Sequence, residues 1–131
     1  TLALIKPDAY GAGNKDAIIE LIKAKGFTIV REREVAYTAE LAQTFYEEHR
    51  GKPFFDDLTT WISSAPVYAM VLERDNAISA WRELMGPTNS DKARETVPDS
   101  VRARFGTDGS QNAVHGSDGH ASAEREIGLL F

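Results

Sequence analysis

His115 closes a short apolar segment and is followed by Gly116, Ser117 and Asp118. A histidine at a strand end, beside a glycine, has open space on one side for a ligand. Its ordinary pKa leaves much of the imidazole neutral near pH 7, and a neutral imidazole is a competent nucleophile. Such a nucleophile needs a partner that orients the ring. Ser117 lies two residues away, and a final helix opening at Ser122 can bring Glu126 back over the strand end. The competing reading is a packed histidine in a tight turn, and one histidine does not separate the two.

Three cations stand out in an acidic chain. The sequence carries 15 Lys and Arg against 20 Asp and Glu, a formal net charge of −5. That balance argues against a general nucleic-acid surface, so an anionic ligand must be met by cations gathered locally. Lys6 ends the first strand just before Pro7; Arg82 follows Trp81 and points off the buried stripe by about 100°; Arg102 lies in a long loop. Each alone reads as a solvated surface charge. Brought to one place, they would recognise phosphate through Arg forks and a Lys point charge, helped by the neutral donors Thr88 and Asn112. Phe55 reads as core, whereas an exposed Phe54 could stack on a nucleobase. Tyr46 is either a core tyrosine or a hydroxyl that contacts phosphate. His49 and His120 lack a supporting pattern and read as surface residues.

Other chemistries are missing. There is no Gly-x-x-x-x-Gly-Lys-Ser/Thr loop and no Gly-x-Gly-x-x-Gly, so phosphoryl chemistry here is not of the P-loop or protein-kinase sort. No cluster has metal-ligand spacing. The chain has no cysteine, hence no disulfide framework and no thiolate site. Its apolar runs fall short of the roughly 18–20 residues of a membrane span. No signal-peptide pattern opens the chain, and Thr1 in place of an initiator methionine fits an excised or processed domain.

The 131 residues suit one compact domain over 1–131. Alternation predicts strands over Thr1–Lys6, Phe27–Ala36, Pro66–Leu72 and Gln111–His115, the third of them central. Tyr10–Asn14 reads as a Gly-rich turn. Helices are expected after Asn14, Thr38 and Asp75 as caps, over Phe54–Ile62, and from Ser122 to about Leu130. Gly26 and Gly86 are left-handed stops. Gly86–Gly109 has little periodicity and reads as a long functional loop. The order suits an α+β, ferredoxin-like fold: an antiparallel four-stranded sheet with helices on one side.

These segments resemble, in order, those of nucleoside diphosphate kinases. The opening Thr1-Leu-Ala-Leu-Ile-Lys6-Pro-Asp8 is similar to the family's first strand. Tyr46, Lys52-Pro-Phe-Phe55 and Leu58 follow, then Ser64-Ala-Pro-Val67 with Ala69-Met70-Val71. Trp81-Arg82, Met85-Gly-Pro-Thr-Asn89 and Pro98-Asp-Ser-Val-Arg102 come next. Asn112-Ala-Val-His-Gly-Ser-Asp118 and Ser122-Ala-Glu-Arg-Glu-Ile127 complete the signature. The resemblance implies that His115 becomes phosphohistidine, with Glu126 and Ser117 orienting it. It implies that Lys6, Arg82, Thr88, Arg102 and Asn112 grip the phosphates and sugar, that Tyr46 sits near the phosphates, and that Phe54 stacks on the base. Mg²⁺ would ride on the nucleotide phosphates with no protein ligands. The implied reaction is ping-pong: ATP or another nucleoside triphosphate phosphorylates the histidine, and a nucleoside diphosphate takes the group.

Departures narrow the resemblance. The stretch between Asn89 and Pro98 is longer than in common cytosolic members, the family's Arg-Pro-Phe-Phe is Lys52-Pro-Phe-Phe here, and Gly109 stands where others place an apolar residue against the base. The chain stops at Phe131 without the segment that helps build hexamers, so a homodimer is expected among possible homo-oligomers. Lys92-Ala-Arg-Glu-Thr96, Phe105-Gly-Thr-Asp108 and Ala123-Glu-Arg-Glu-Ile127 look closest to the type-5 branch, with the mitochondrion-linked type-6 branch second. Type-5 members are associated with the radial spokes of ciliary and flagellar axonemes. That implies an axonemal location, with cytoplasm or mitochondrion as the alternative, and radial-spoke proteins as partners. A second reading follows from Gly109 and the altered loop: a structural nucleotide-binding module of a radial spoke with weak or no turnover.

Overall fold

Leu2–Ile5 forms β1, and every residue in it is buried. The reason is that both of its faces are apolar: Leu2 and Leu4 enter one core cluster, Ala3 and Ile5 the other. A strand buried on both faces belongs inside a sheet. The computed structural model, which describes residues 1–108 and 111–131, places β1 between β3 (Val67–Glu73) and β4 (Val114–Gly116), with β2 (Thr28–Val35) outermost. All three pairings are antiparallel, so the order is β2-β3-β1-β4. β1 thus shares the centre with β3.

The helices are α1 (Pro7–Gly11), α2 (Lys15–Ala24), α3 (Ala39–Phe45), α4 (Phe55–Ile62), α5 (Ala77–Met85), α6 (Ser90–Thr96), α7 (Val101–Phe105) and α8 (His120–Leu130). They cover both faces of the sheet, not one. Ile18 and Ile22 of α2, Trp81 and Met85 of α5, and Val101 of α7 pack with Ala3, Ile5, Met70 and Leu72. On the other face, Ala42 and Phe45 of α3, Phe55 and Ile62 of α4, and Leu130 of α8 pack with Leu2, Leu4, Val67 and Ala69. The α+β class with an antiparallel four-stranded sheet stands; its single-sided cover does not.

Local expectations were corrected where short signals won. Pro7 ends β1 and also starts α1 at its first helical position, where a missing N–H costs nothing. The supposed turn from Tyr10 is therefore partly helix. The segment expected to be a loop holds α6 and α7, each started by a side-chain cap. Asn89 Oδ1 accepts from the N–H groups of Asp91 and Lys92, and Ser100 Oγ from that of Ala103. The α5 cap is Asn76, in the left-handed region at φ 54°, rather than Asp75. Helix α8 begins at His120; Ser122 is its third residue and accepts from the N–H of Gly119 at 3.0 Å. Among the described residues no helix is long and apolar enough to cross a membrane.

Candidate active site

Two chain segments, drawn from opposite ends of the sequence, meet at His115. β1 runs antiparallel to β4 with Leu4 opposite His115. Just before β4, Ala113 adopts φ +70°, a left-handed conformation that costs a residue with a side chain about 1 kcal/mol or more. Neighbouring bonds hold it there. Its N–H donates to Asp8 Oδ2 at 3.0 Å, and its carbonyl accepts from the N–H of Lys6 at 2.7 Å. This kink explains why the last strand starts at Val114 and not at Gln111. Downstream, Trp81 Nε1 donates to the His115 carbonyl at 3.1 Å. Gly116 lets the indole come close: a Cβ there would lie 2.5 Å and 2.7 Å from two indole atoms.

The imidazole is gripped from both sides. His115 Nε2 lies 3.0 Å from Glu126 Oε1 on α8, and Ser117 Oγ donates to the same oxygen at 2.9 Å. Phe45 sets its ring edge-on to the imidazole with centroids 5.3 Å apart, and Tyr46 does so at 6.5 Å. About one fifth of the His115 side-chain surface stays open, against 6% for Glu126. Burial holds the imidazole below its ordinary pKa; Glu126 pulls it up, and the nearby charges of Lys6 and Arg102 push it further down.

The open side of His115 faces a cleft of about 790 Å³. Of the residues expected to bind nucleotide or do chemistry, all line it except Ser117, which sits behind Glu126. Lys6 is buried, and its Nζ donates to Asn112 Oδ1 at 2.9 Å and lies 5.6 Å from the centre of the Trp61 ring. Asn112 Nδ2 in turn donates to the Thr88 carbonyl at 2.9 Å, so the amide ties β1 to the turn after α5. Arg102 is anchored by its Nη1 to the Gly86 carbonyl and by its Nη2 to the Val114 carbonyl, both at 3.0 Å; its Nε is buried without a partner. It lies on α7, not in a loop. Arg82 reaches the cleft from the exposed side of α5.

The cations are held close and disturb one another. Burial and the charge of Arg102 push Lys6 down to about 8; burial and the charge of Arg82 push Arg102 down to about 10. Among the described residues none of the three sits in an ion pair with a carboxylate. A cluster of cations left short of counter-charge is arranged for an anion.

The remaining residues divide. Phe54 is 48% exposed at the mouth of the cleft, while Phe55 is buried as expected. Tyr46 belongs to the core and is also one of the residues lining the cleft, and its hydroxyl is buried without a partner. Gly109 lies outside the described residues. His120 is exposed. His49, read as a surface residue, instead lines the cleft and packs its ring against Tyr46 at 6.0 Å and Phe54 at 5.4 Å. Trp61 and Asp8 were also missed. Only tertiary placement reveals His49 and Trp61, whereas Asp8 stands two residues past Lys6 in the opening motif.

A family model described as "Nucleoside diphosphate kinase" matches residues 1–131. The chain is 51% identical over its full length to "Nucleoside diphosphate kinase homolog 5" of Danio rerio, covering 59% of that protein. It thus spans about three fifths of the length of the curated animal relatives of that name. Among solved structures, the nucleoside diphosphate kinase of Aquifex aeolicus superposes with a TM-score of 0.98 at 44% identity, with 99% of this chain and 92% of that one covered. The halophilic nucleoside diphosphate kinase of Halobacterium salinarum, solved in complex with CDP, gives 0.92 at 37% identity, with 99% and 85% covered.

Proposed function

This chain belongs to the nucleoside diphosphate kinase family, and from that premise we propose that it moves the γ-phosphoryl group of a nucleoside triphosphate to a nucleoside diphosphate through phosphohistidine at His115. The observation that carries the reading is the pairing of His115 Nε2 with Glu126 at the wall of a cleft lined by Lys6, Arg82 and Arg102. With Nε2–H donated to the carboxylate, the lone pair of the neutral ring is on Nδ1. Nδ1 attacks the γ-phosphorus in line; an N–P bond forms, the bond from phosphorus to the bridging oxygen breaks, and its electron pair leaves on the diphosphate. The imidazole gains positive character, which Glu126 stabilises, and Ser117 holds the carboxylate in place. The cations offset the charge spread over the transferred oxygens, so catalysis is positioning plus electrostatics. A second nucleoside diphosphate reverses the steps.

Phe54 supplies a face for the base, and stacking alone accepts every base. Tyr46 would sit near the phosphates, and Thr88 and Asn112 line the same cleft. Among the described residues no group of three or more His, Cys, Asp or Glu is placed to hold a metal. The family resemblance implies that Mg²⁺ would enter with the substrate, on the phosphates, where it would neutralise oxygen charge.

Ping-pong exchange tests this reading. The protein should exchange label between ADP and ATP with no other acceptor present; failure to do so at saturating Mg·ATP would contradict it. The intact set of residues around one cleft favours turnover over the reading as a spoke module with little activity. The type-5 resemblance supports a ciliary or flagellar location and radial-spoke partners for the full-length protein. Axonemal staining would support that, and staining confined to cytoplasm or mitochondria would contradict it. Homodimerisation is tested by sedimentation, where a monomer at working concentration would count against it.

A further inference from the structure

Arg125 precedes Glu126 on α8 but bonds to a different element. Its Nη1 donates to the Phe45 carbonyl at 3.2 Å and its Nη2 to the Thr44 carbonyl. Both carbonyls lie at the C-terminal end of α3, where unsatisfied oxygens and the negative end of the helix dipole favour a cation. A planar guanidinium spans two such oxygens at once, which an ammonium does not. Among the described residues these two bonds are the side-chain hydrogen bonds that join α3 to α8.

What they join is the grip on His115. Helix α8 brings Glu126 to Nε2, and the end of α3 brings the Phe45 ring to within 5.3 Å of the imidazole centre. Phe45 is itself wedged between Tyr37 at 5.6 Å and Tyr46 at 5.0 Å. If the end of α3 moved away, the carboxylate would remain while the opposite wall of the ring was lost. We infer that Arg125 is a positioning residue for His115: by locking the end of α3 onto α8 it holds the imidazole in the attitude from which it attacks phosphorus. The inference rests on the phosphohistidine reading above.

The test compares wild type, Arg125→Ala and Arg125→Lys. It reads three quantities: the rate of His115 phosphorylation at saturating Mg·ATP by rapid quench, equilibrium nucleotide binding, and the pH profile of the rate. A misplaced reacting group costs up to about 10²-fold, so Arg125→Ala should slow phosphorylation by roughly 10- to 100-fold. Binding should stay within about threefold, because no phosphate contact is removed. Lysine keeps the charge without the fork and should fall between the two. The charged and titratable groups facing His115 are Glu126 of α8, Asp118 just after β4, Tyr46 at the end of α3, Lys6 after β1 and Arg102 of α7. None is altered, so a change in pH profile reports water reaching the ring past Phe45; the acid limb should move up toward the ordinary histidine value. A folded Arg125→Ala with wild-type rate overturns the inference, as does an equal loss of binding and rate or an unmoved pH profile. If the alanine variant does not fold, a folded Arg125→Lys at wild-type rate overturns it. Wild type that labels while the variants label equally fast refutes this inference alone; wild type that never labels refutes the phosphohistidine reading with it.

Discussion

Nε2 of His115 and Oε1 of Glu126 are 3.0 Å apart, although the two residues belong to different elements, β4 and α8. The carboxylate accepts from both the imidazole and the Ser117 hydroxyl. Replacing Glu126 by Gln keeps the shape and removes the charge that stabilises the phosphorylated ring. Losing one such electrostatic contact costs about 10²-fold in rate. Glu126→Gln should therefore slow His115 phosphorylation by about that factor in single-turnover measurements, while Ser117→Ala, which only frees the carboxylate, should cost less. Equal rates in wild type and Glu126→Gln would remove Glu126 from the mechanism.

Acidity should act through His115. Burial, the largest influence, holds its pKa below the ordinary value near 6.5. The nucleophile is the neutral ring, so the phosphorylation rate should stay flat as pH falls from 8 to about 6.5 and drop only below that. NMR titration of the His115 ring locates the midpoint directly. A midpoint at or above 6.5 would show that the charge of Glu126 outweighs burial.

Lys6 gives the alkaline side. Its ammonium is pushed down to about 8 by burial and by Arg102. A bound polyphosphate favours the charged form and raises that value again, so binding near pH 8 takes up a proton and weakens as pH climbs through 8. Calorimetry in buffers of different ionisation enthalpy should show uptake of about half a proton at pH 8. Lys6→Arg, which stays charged, should abolish it. Wild-type binding with no uptake would mean that Lys6 does not meet the phosphates.

The placement of His115 also depends on an empty volume. A Cβ on Gly116 would meet the Trp81 indole at 2.5 Å and the Met85 methyl at 2.8 Å. Gly116→Ala should lower unfolding free energy by about 1–3 kcal/mol through overpacking. It should also disturb the Trp81 bond to the His115 carbonyl. Urea unfolding monitored by tryptophan fluorescence measures the first effect, and an unchanged midpoint would show that the indole yields freely.

The sequence made the site more legible than the frame around it. His115, Glu126 and the cations each had a bland alternative when read alone; the family resemblance joined them into one site, and the structure brings them to one cleft. The helices α6 and α7 were missed because seven and five residues hold too few apolar positions to show a period. Their caps, Asn89 and Ser100, were the readable signal. The two-sided cover of the sheet was present in β1, where Leu2 and Leu4 alternate with Ala3 and Ile5 and leave no polar face. His49 could not be found from its neighbours in sequence. Its position against Phe54 and Tyr46 arises from the bend after α3, which local pattern does not encode.

The central claim is that phosphate passes through His115. Incubation with γ-labelled Mg·ATP, followed by acid and alkaline treatment and peptide mapping, tests it most directly. The account predicts stoichiometric, acid-labile and base-stable label on the peptide containing His115, removable by ADP and absent from His115→Ala. Label that survives acid, persists in His115→Ala, or never forms in a folded wild-type protein would contradict it.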